Sequence, residues 1–126
     1  MEKLNFDTGV RAYRLGSGVL RFNPTDPNLY ARFLDALDTI AALESELQPQ
    51  TGEEAIRALA EADGRIKGIL TGVFGGDNDF SRLLDGVNLL AVGDNGQRLI
   101  TNLFDALEPV LTAGARRCAQ SRAKAL

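Results

Sequence analysis

The chain has 126 residues, of which 44% are hydrophobic and 25% charged. These proportions are typical of a globular protein, and the length predicts a single domain, 1–126. The sequence contains no histidine and one cysteine, Cys118. Histidine-based acid–base catalysis, catalytic triads, His-ligated metals, zinc fingers and intrachain disulfides are therefore excluded.

The charge is unevenly distributed around a formal net value of −3. Residues 1–22 carry four basic and two acidic side chains, and residues 23–115 carry six basic and fifteen acidic ones. The last eleven residues carry four basic side chains and no acidic one. An acidic body between basic ends disfavours nucleic-acid binding, because neutralising phosphates needs a broad positive surface.

Membrane and secretion signals are not evident in the sequence. No apolar stretch approaches the ~20 residues that a membrane span requires. The first six residues also lack the apolar run of a secretion signal. With one free thiol, we expect a cytoplasmic protein that binds neither membranes nor nucleic acids.

The first part of the chain, 1–23, predicts a β-hairpin. Two short runs, 10–15 and 19–22, contain β-branched or aromatic residues and flank the turn Gly16-Ser17-Gly18. Leu4 and Phe6 alternate with Asn5, which predicts a third short strand. A lone hairpin is marginal in water, so we expect its apolar face to pack on helices.

The segment 24–113 predicts a helical body. The first helix is expected from about Asp26 to Leu47, where the segment 48–50 ends it; Pro27 suits its first turn. The second helix is expected from Gly52 to Phe74, opened by a capping box from Thr51 to Glu54. Three–four spacing predicts buried faces formed by Tyr30, Phe33, Leu37, Ile40 and Leu47, and by Ile56, Leu59, Ile66, Leu70 and Val73. Gly64 and Gly68 are interpreted as tolerated weak points.

The second half predicts a short helix and a long one. Asp77, Asn78 or Asp79 is expected to cap a short helix over 80–84, and the apolar run 87–92 fits either a buried helical turn or a strand. Asp94 or Asn95 is expected to cap the last helix, which Pro109 should kink or break. Residues 114–126 form a basic helical tail. The predicted fold is mainly α with a small N-terminal antiparallel β-hairpin, built of three longer helices plus a short one.

Candidate catalytic and metal-binding groups have simpler interpretations. The segment 77–88 lacks the glycine and final glutamate of a calcium loop, so its acidic residues are interpreted as caps. Three carboxylate pairs are interpreted as solvated: Asp35 with Asp38, Glu53 with Glu54, and Glu61 with Asp63. The sequence predicts no catalytic, cofactor-binding or metal-binding residue.

The basic tail is the one candidate binding site. Arg116, Arg117, Arg122 and Lys124 suit a helix C-terminus, where cations complement the helix dipole. The alternative is that they bind an acidic partner. Cys118 lies among them and is interpreted as an ordinary helix-face residue.

Several motifs resemble one protein family. The segment 21–30, directly after a glycine-turned hairpin, resembles the start of tail assembly chaperone-like proteins of long-tailed (siphovirus-type) phages and prophages. The segments 73–76, 88–92 and 94–96, followed by an amphipathic helix, resemble the second half of the same family. The similarity extends from about Leu4 to Val110, and its motifs are turns and caps.

The resemblance implies a non-enzymatic protein without a cofactor, acting in virion morphogenesis in the host cytoplasm. It implies binding to the helical tape-measure protein, and binding to the tail tube protein through a longer, frameshifted form. We expect the client surface on the exposed side of the first helix and on the last helix after Pro109. One alternative is a structural virion or tail-completion protein that oligomerises through apolar helix faces. Others are a carboxylate-using hydrolase and a weak nucleic-acid adaptor working through 116–126.

Overall fold

A computed structural model describes residues 1–47 and 51–125. The elements are β1 (Arg11–Leu15), β2 (Gly18–Phe22), α1 (Pro27–Glu46), α2 (Gly52–Phe74), α3 (Phe80–Leu83) and α4 (Leu99–Ala125). The predicted fold is confirmed: the protein is mainly helical, with an N-terminal two-stranded antiparallel hairpin. The segment 48–50, expected to end the first helix, lies outside the described residues.

The hairpin packs its apolar face on the helices. Its register pairs Tyr13 with Leu20 and Arg11 with Phe22. The ring of Tyr13 stacks on that of Phe22 at 4.8 Å, and Phe22 meets Phe74 of α2 edge-on at 5.0 Å. Aromatic contacts of this kind add to the energy of apolar burial, and here they fix the hairpin to the end of α2.

The expected third strand is absent from the described N-terminal segment. Residues 1–10 have no regular secondary structure, and the Leu4 and Phe6 side chains are 87% and 79% exposed. A three-residue strand makes few ladder hydrogen bonds, which do not offset the entropy of ordering it without an apolar surface to cover. The prediction was therefore wrong, and it leaves two large apolar side chains in solvent.

Asn78 holds the outer edge of β2. The Arg21 N–H donates to Asn78 Oδ1 at 2.9 Å, and Asn78 Nδ2 donates to the Arg21 carbonyl at 2.7 Å. The buried amide thus makes the pair of bonds that a neighbouring strand would make. Next to it, Asp79 accepts from the Ser81 N–H at 3.0 Å and caps α3, which confirms the turn-and-cap interpretation of this loop.

The core lies between α1, α2 and α4, under the hairpin. Its fully buried large side chains are Leu20, Phe33, Ile40, Ile66, Leu70, Phe80, Ile100 and Leu111. On α1 the predicted Phe33 and Ile40 are buried, whereas Tyr30, Leu37 and Leu47 are only partly buried at the edge of the core.

The first turns of α2 differ from their prediction. Ile56 is 66% exposed, whereas Ala58 lines a groove together with residues at the last turn of α1. Thr51 is the N-cap, but its side chain makes no capping hydrogen bond. Gly52 adopts a φ of 67°, which takes the first residue out of the helical geometry that a capping box requires. A methyl group at Gly64 or Gly68 would meet nothing within 4 Å, which supports their interpretation as tolerated weak points.

The segment 84–98 forms turns rather than the expected helical turn or strand. Leu89 and Leu90 are buried, and a single bridge joins Val92 to Arg98. Backbone carbonyls of this segment accept hydrogen bonds from the first residues of α4. The Leu99 N–H donates to Ala91 O at 2.9 Å, and the Ile100 N–H donates to Leu89 O at 2.8 Å. These bonds satisfy the first two N–H groups of the helix and the Arg98 carbonyl accepts from the next two, so neither Asp94 nor Asn95 is its cap.

The helix α4 continues without a break through Pro109 to Ala125. Pro109 is exposed, whereas Leu107 and Leu111 on either side of it are buried. Phe104 packs edge-on against Phe33 of α1 at 5.8 Å. The expectation of a break was wrong, because the proline ring faces solvent and the core contacts hold the helix on both sides of it.

Candidate binding surfaces

The second half of α4 lies against the start of α1. Gly114 is buried, and a methyl group placed on it would overlap the backbone carbonyl of Pro24. This close approach sets Arg117 beside the base of the hairpin, and its neighbour in the chain, Arg116, is exposed as well. The backbone of α4 continues through Arg122 and Lys124, the other two residues predicted to bind a partner.

A polar cleft of about 220 Å³ lies between the N-terminal segment, the start of α1 and α4. Arg11 and Arg117 line it together with Asp7, Asn23 and Thr25. Within residues 1–47 and 51–125, neither arginine makes an ion pair. The fold thus joins basic side chains from opposite ends of the sequence, which sequence analysis treated as two separate groups.

Asn23 organises the wall of this cleft. Its Nδ2 donates to the Thr8 carbonyl at 3.0 Å, and its Oδ1 accepts from the Thr25 N–H at 2.8 Å and from the Thr25 hydroxyl at 2.7 Å. Gly9, with a φ of 71°, lies so close that a methyl group there would be 2.6 Å from Asn23 Nδ2. These contacts fix residues 8 and 9, and therefore the point at which the N-terminal segment leaves the body.

A second surface is apolar, and we call it the N-terminal apolar strip: Leu4, Phe6, Val10 and Val19. All four are exposed large hydrophobic residues. Val10 and Val19 also line a groove of about 410 Å³, whose floor includes Phe22, Leu29 and Phe74. Arg21, Asp26, Arg32 and Asp77 supply charged side chains around the same groove.

The expected client surface does not have this apolar character. Among the described residues, the only large hydrophobic residue strongly exposed on α1 is Leu34, and α4 has none. The uncovered apolar residues lie mainly in the first nineteen residues. The alternation of Leu4 and Phe6 was the sequence signal for this surface, and it was interpreted as a strand.

One charge pair is buried and was missed. Lys67 Nζ lies 2.8 Å from Asp63 Oδ2 and donates to the Val87 carbonyl at 2.6 Å. Asp63 Oδ1 accepts from the Leu89 N–H at 2.8 Å, and the two side chains are only 4% and 13% exposed. The interpretation of Asp63 as a solvated partner of Glu61 was therefore wrong. This pair attaches the segment 84–98 to α2.

The other carboxylate pairs and the cysteine were also considered as candidate reactive groups from the sequence. The other carboxylate pairs, at 35 and 38 and at 53 and 54, are exposed as expected, and Cys118 is half-buried. Over the part of the chain that the structure describes, no cluster of three or more Asp, Glu, Cys or His side chains is arranged to hold a metal ion. No helix in the same part of the chain is long and apolar enough to cross a bilayer.

Comparisons with protein-family models, with curated proteins and with solved structures gave no significant match for this chain. The surfaces described above are therefore the basis for inferring its function.

Proposed function

We propose that this protein is a non-enzymatic tail assembly chaperone of a long-tailed phage or prophage, working in the host-cell cytoplasm. Its client is the helical tape-measure protein. The observation that carries the proposal is the N-terminal apolar strip, which lies beside a cleft with two arginines and has no apolar cover within the described residues.

The strip has the properties that holding a helix requires. A long amphipathic helix without its partners exposes an apolar stripe flanked by charged residues, and it docks on a complementary apolar surface. Leu4 and Phe6 stand almost fully in solvent, so they gain the most when such a stripe covers them. Arg11 and Arg117 line a cleft that Val10 of the strip also lines, so their charges suit acidic residues that flank the stripe.

The expected affinity of this contact suits a chaperone that must later release its client. Burying one large apolar side chain contributes about 1.5–3 kcal/mol, and association with ordering of the N-terminal segment costs part of that gain. A few such side chains give a reversible complex. Reversibility matters because tube subunits must displace the chaperone from the tape-measure protein.

The four basic residues predicted to bind a partner keep that role as a proposal. Arg116 and Arg117 are exposed on α4 beside the cleft, and Arg122 and Lys124 follow on the same helix. Their charge fits an acidic partner surface.

The test is complex formation with a purified fragment of the tape-measure protein, followed by pull-down and size-exclusion chromatography. We expect the two proteins to co-elute and the fragment to stay soluble only in the presence of the chaperone. No complex at tens of micromolar, with a fragment that is itself soluble, would contradict the proposal.

The alternative of a structural virion or tail-completion protein has less support. It requires apolar helix faces for oligomerisation, and on the described helices the strongly exposed large hydrophobic residues are single ones, Leu34 and Ile56. The two functions differ in the final particle. A structural protein remains in mature virions, whereas a chaperone is absent from them.

A further inference from the structure

We propose that copies of this chain associate head to tail, with the basic pole of one copy docked on the acidic tip of the next. The basic pole is formed by Arg11, Arg116 and Arg117. The acidic tip is formed by Glu46, Glu53, Glu54 and Glu61. This inference does not depend on the proposed client, because the acidic tip takes no part in the proposed client binding.

The acidic tip lies where α1 ends and α2 begins. Its four glutamates are exposed, and Glu46 and Glu61 line a shallow groove of about 170 Å³ together with Leu43, Ala58 and Arg65. Of the two arginines near the tip, Arg57 already pairs with Glu53 at 3.0 Å. The tip therefore keeps an excess of negative charge beside a small apolar floor.

The pole and the tip lie at opposite ends of one molecule. The pole adjoins Pro24, just before α1, whereas the tip adjoins Glu46 at its far end. The twenty residues of α1 span roughly 30 Å at 1.5 Å per residue. This exceeds the Debye length of ~8 Å at physiological salt, so the two charged ends cannot neutralise each other within one copy.

A second copy supplies the missing contact for both ends. The pole has a cleft of about 220 Å³ lined by two arginines and one carboxylate, Asp7, so the basic side chains outnumber the acidic one, and the tip offers glutamates that can enter it. The charges of this chain thus provide the acidic partner that the pole requires. Because pole-to-tip docking joins two different surfaces, an oligomer of any length keeps one free pole and one free tip.

The test is sedimentation velocity of the full chain across a concentration series at low and high salt. At about 20 mM NaCl we expect the weight-average mass to rise with concentration above the monomer value of 13.6 kDa. At about 500 mM NaCl the mass should return to that of the monomer, because exposed charge pairs are screened. A monomer at low salt up to several hundred micromolar would overturn the proposal.

Two charge-reversal variants test the surfaces directly. The pole variant Arg11→Glu/Arg117→Glu and the tip variant Glu46→Lys/Glu61→Lys should each be monomeric at low salt. An equimolar mixture of the two contains an intact pole and an intact tip, and its reversed pole and reversed tip also carry opposite charges, so the mixture should associate again. Association of either variant alone, or a mixture that stays monomeric, would overturn head-to-tail docking.

The controls are Arg82→Glu and Asp105→Lys, which change exposed charges outside both surfaces. Both should associate like the wild type. Since all these positions are exposed, circular dichroism should show unchanged helicity for every variant. The tip variant keeps Leu4, Phe6 and both arginines of the cleft, so loss of self-association without loss of client binding in that variant separates this inference from the proposed function.

Discussion

Gly114 sets the position of the second half of α4, because a glycine has no side chain to keep the neighbouring backbone away. It lies directly over the Pro24 carbonyl, in a contact that leaves no room for a Cβ atom. The contact holds the second half of α4 against the start of α1. It therefore also places Arg117 beside the hairpin base and forms the cleft at the basic pole.

We expect Gly114→Ala to destabilise the protein by about 1–3 kcal/mol, because the added methyl group must push the two backbones apart. The matched control is Gly64→Ala on α2, where a methyl group meets open space. That change should stabilise the protein by up to ~1 kcal/mol through helix propensity. Urea unfolding followed by circular dichroism measures both, and equal effects of the two substitutions would contradict the described contact.

Lys67 and Asp63 form a buried charge pair, and the stability of the protein depends on its contacts as well. The substitution Lys67→Met leaves the almost buried Asp63 carboxylate without its positive partner and the Val87 carbonyl without its donor. We expect the free energy of unfolding to fall by roughly 3 kcal/mol. The exposed pair Arg57–Glu53 is the control, and Arg57→Ala should cost less than about 1 kcal/mol. If the two substitutions cost the same in chemical denaturation, the pair is not buried as described.

At the scale of elements, α4 accommodates a proline that the sequence predicted would interrupt it. Pro109 cannot donate to the carbonyl four residues earlier, and its ring crowds that turn. The helix tolerates this because Pro109 faces solvent while Leu107 and Leu111 are anchored in the core. The tertiary contacts outweigh a local preference of a few kcal/mol.

Pro109→Ala should therefore stabilise the protein by about 1–3 kcal/mol, since it restores a helix hydrogen bond and removes the steric conflict. Pro27→Ala is the control: Pro27 stands in the first turn of α1, where the missing N–H costs nothing, so no gain is expected. Thermal unfolding of the two variants distinguishes them. A Pro109→Ala protein that is no more stable than the wild type would show that α4 is not a continuous helix.

Prediction from the sequence succeeded where local chemistry determines the element. Both ends of α2 were predicted, because polar and glycine residues flank a long amphipathic pattern. The start of α4 was not, because distant carbonyls of Leu89 and Ala91 satisfy its first N–H groups. The basic tail was predicted as a candidate site, but the contribution of Arg11 depends on a tertiary contact between chain ends. No local pattern encodes such a contact.

At the scale of the whole molecule, the N-terminal apolar strip and the basic pole adjoin each other, whereas the acidic tip lies apart from both. The N-terminal apolar strip lies with the hairpin, the basic pole lies where the ends of the chain meet, and the acidic tip lies at the far end of α1. The helical core holds the basic pole and the acidic tip at opposite ends of α1, and Asn23 fixes the point at which the N-terminal segment leaves the body. In the proposed function, the strip binds the client while the charged ends link copies of the chaperone along it.

The most direct test of the proposed function is an anisotropy titration of a labelled helical tape-measure fragment. Leu4→Ser/Phe6→Ser removes the two most exposed side chains of the strip, and its affinity should be at least tenfold weaker than that of the wild type, at about 1.4 kcal/mol per factor of ten. The control Ile56→Ser/Val92→Ser changes two exposed apolar residues outside the strip, 66% and 65% exposed. It should bind like the wild type. Equal affinity of the strip variant and the wild type would contradict the account.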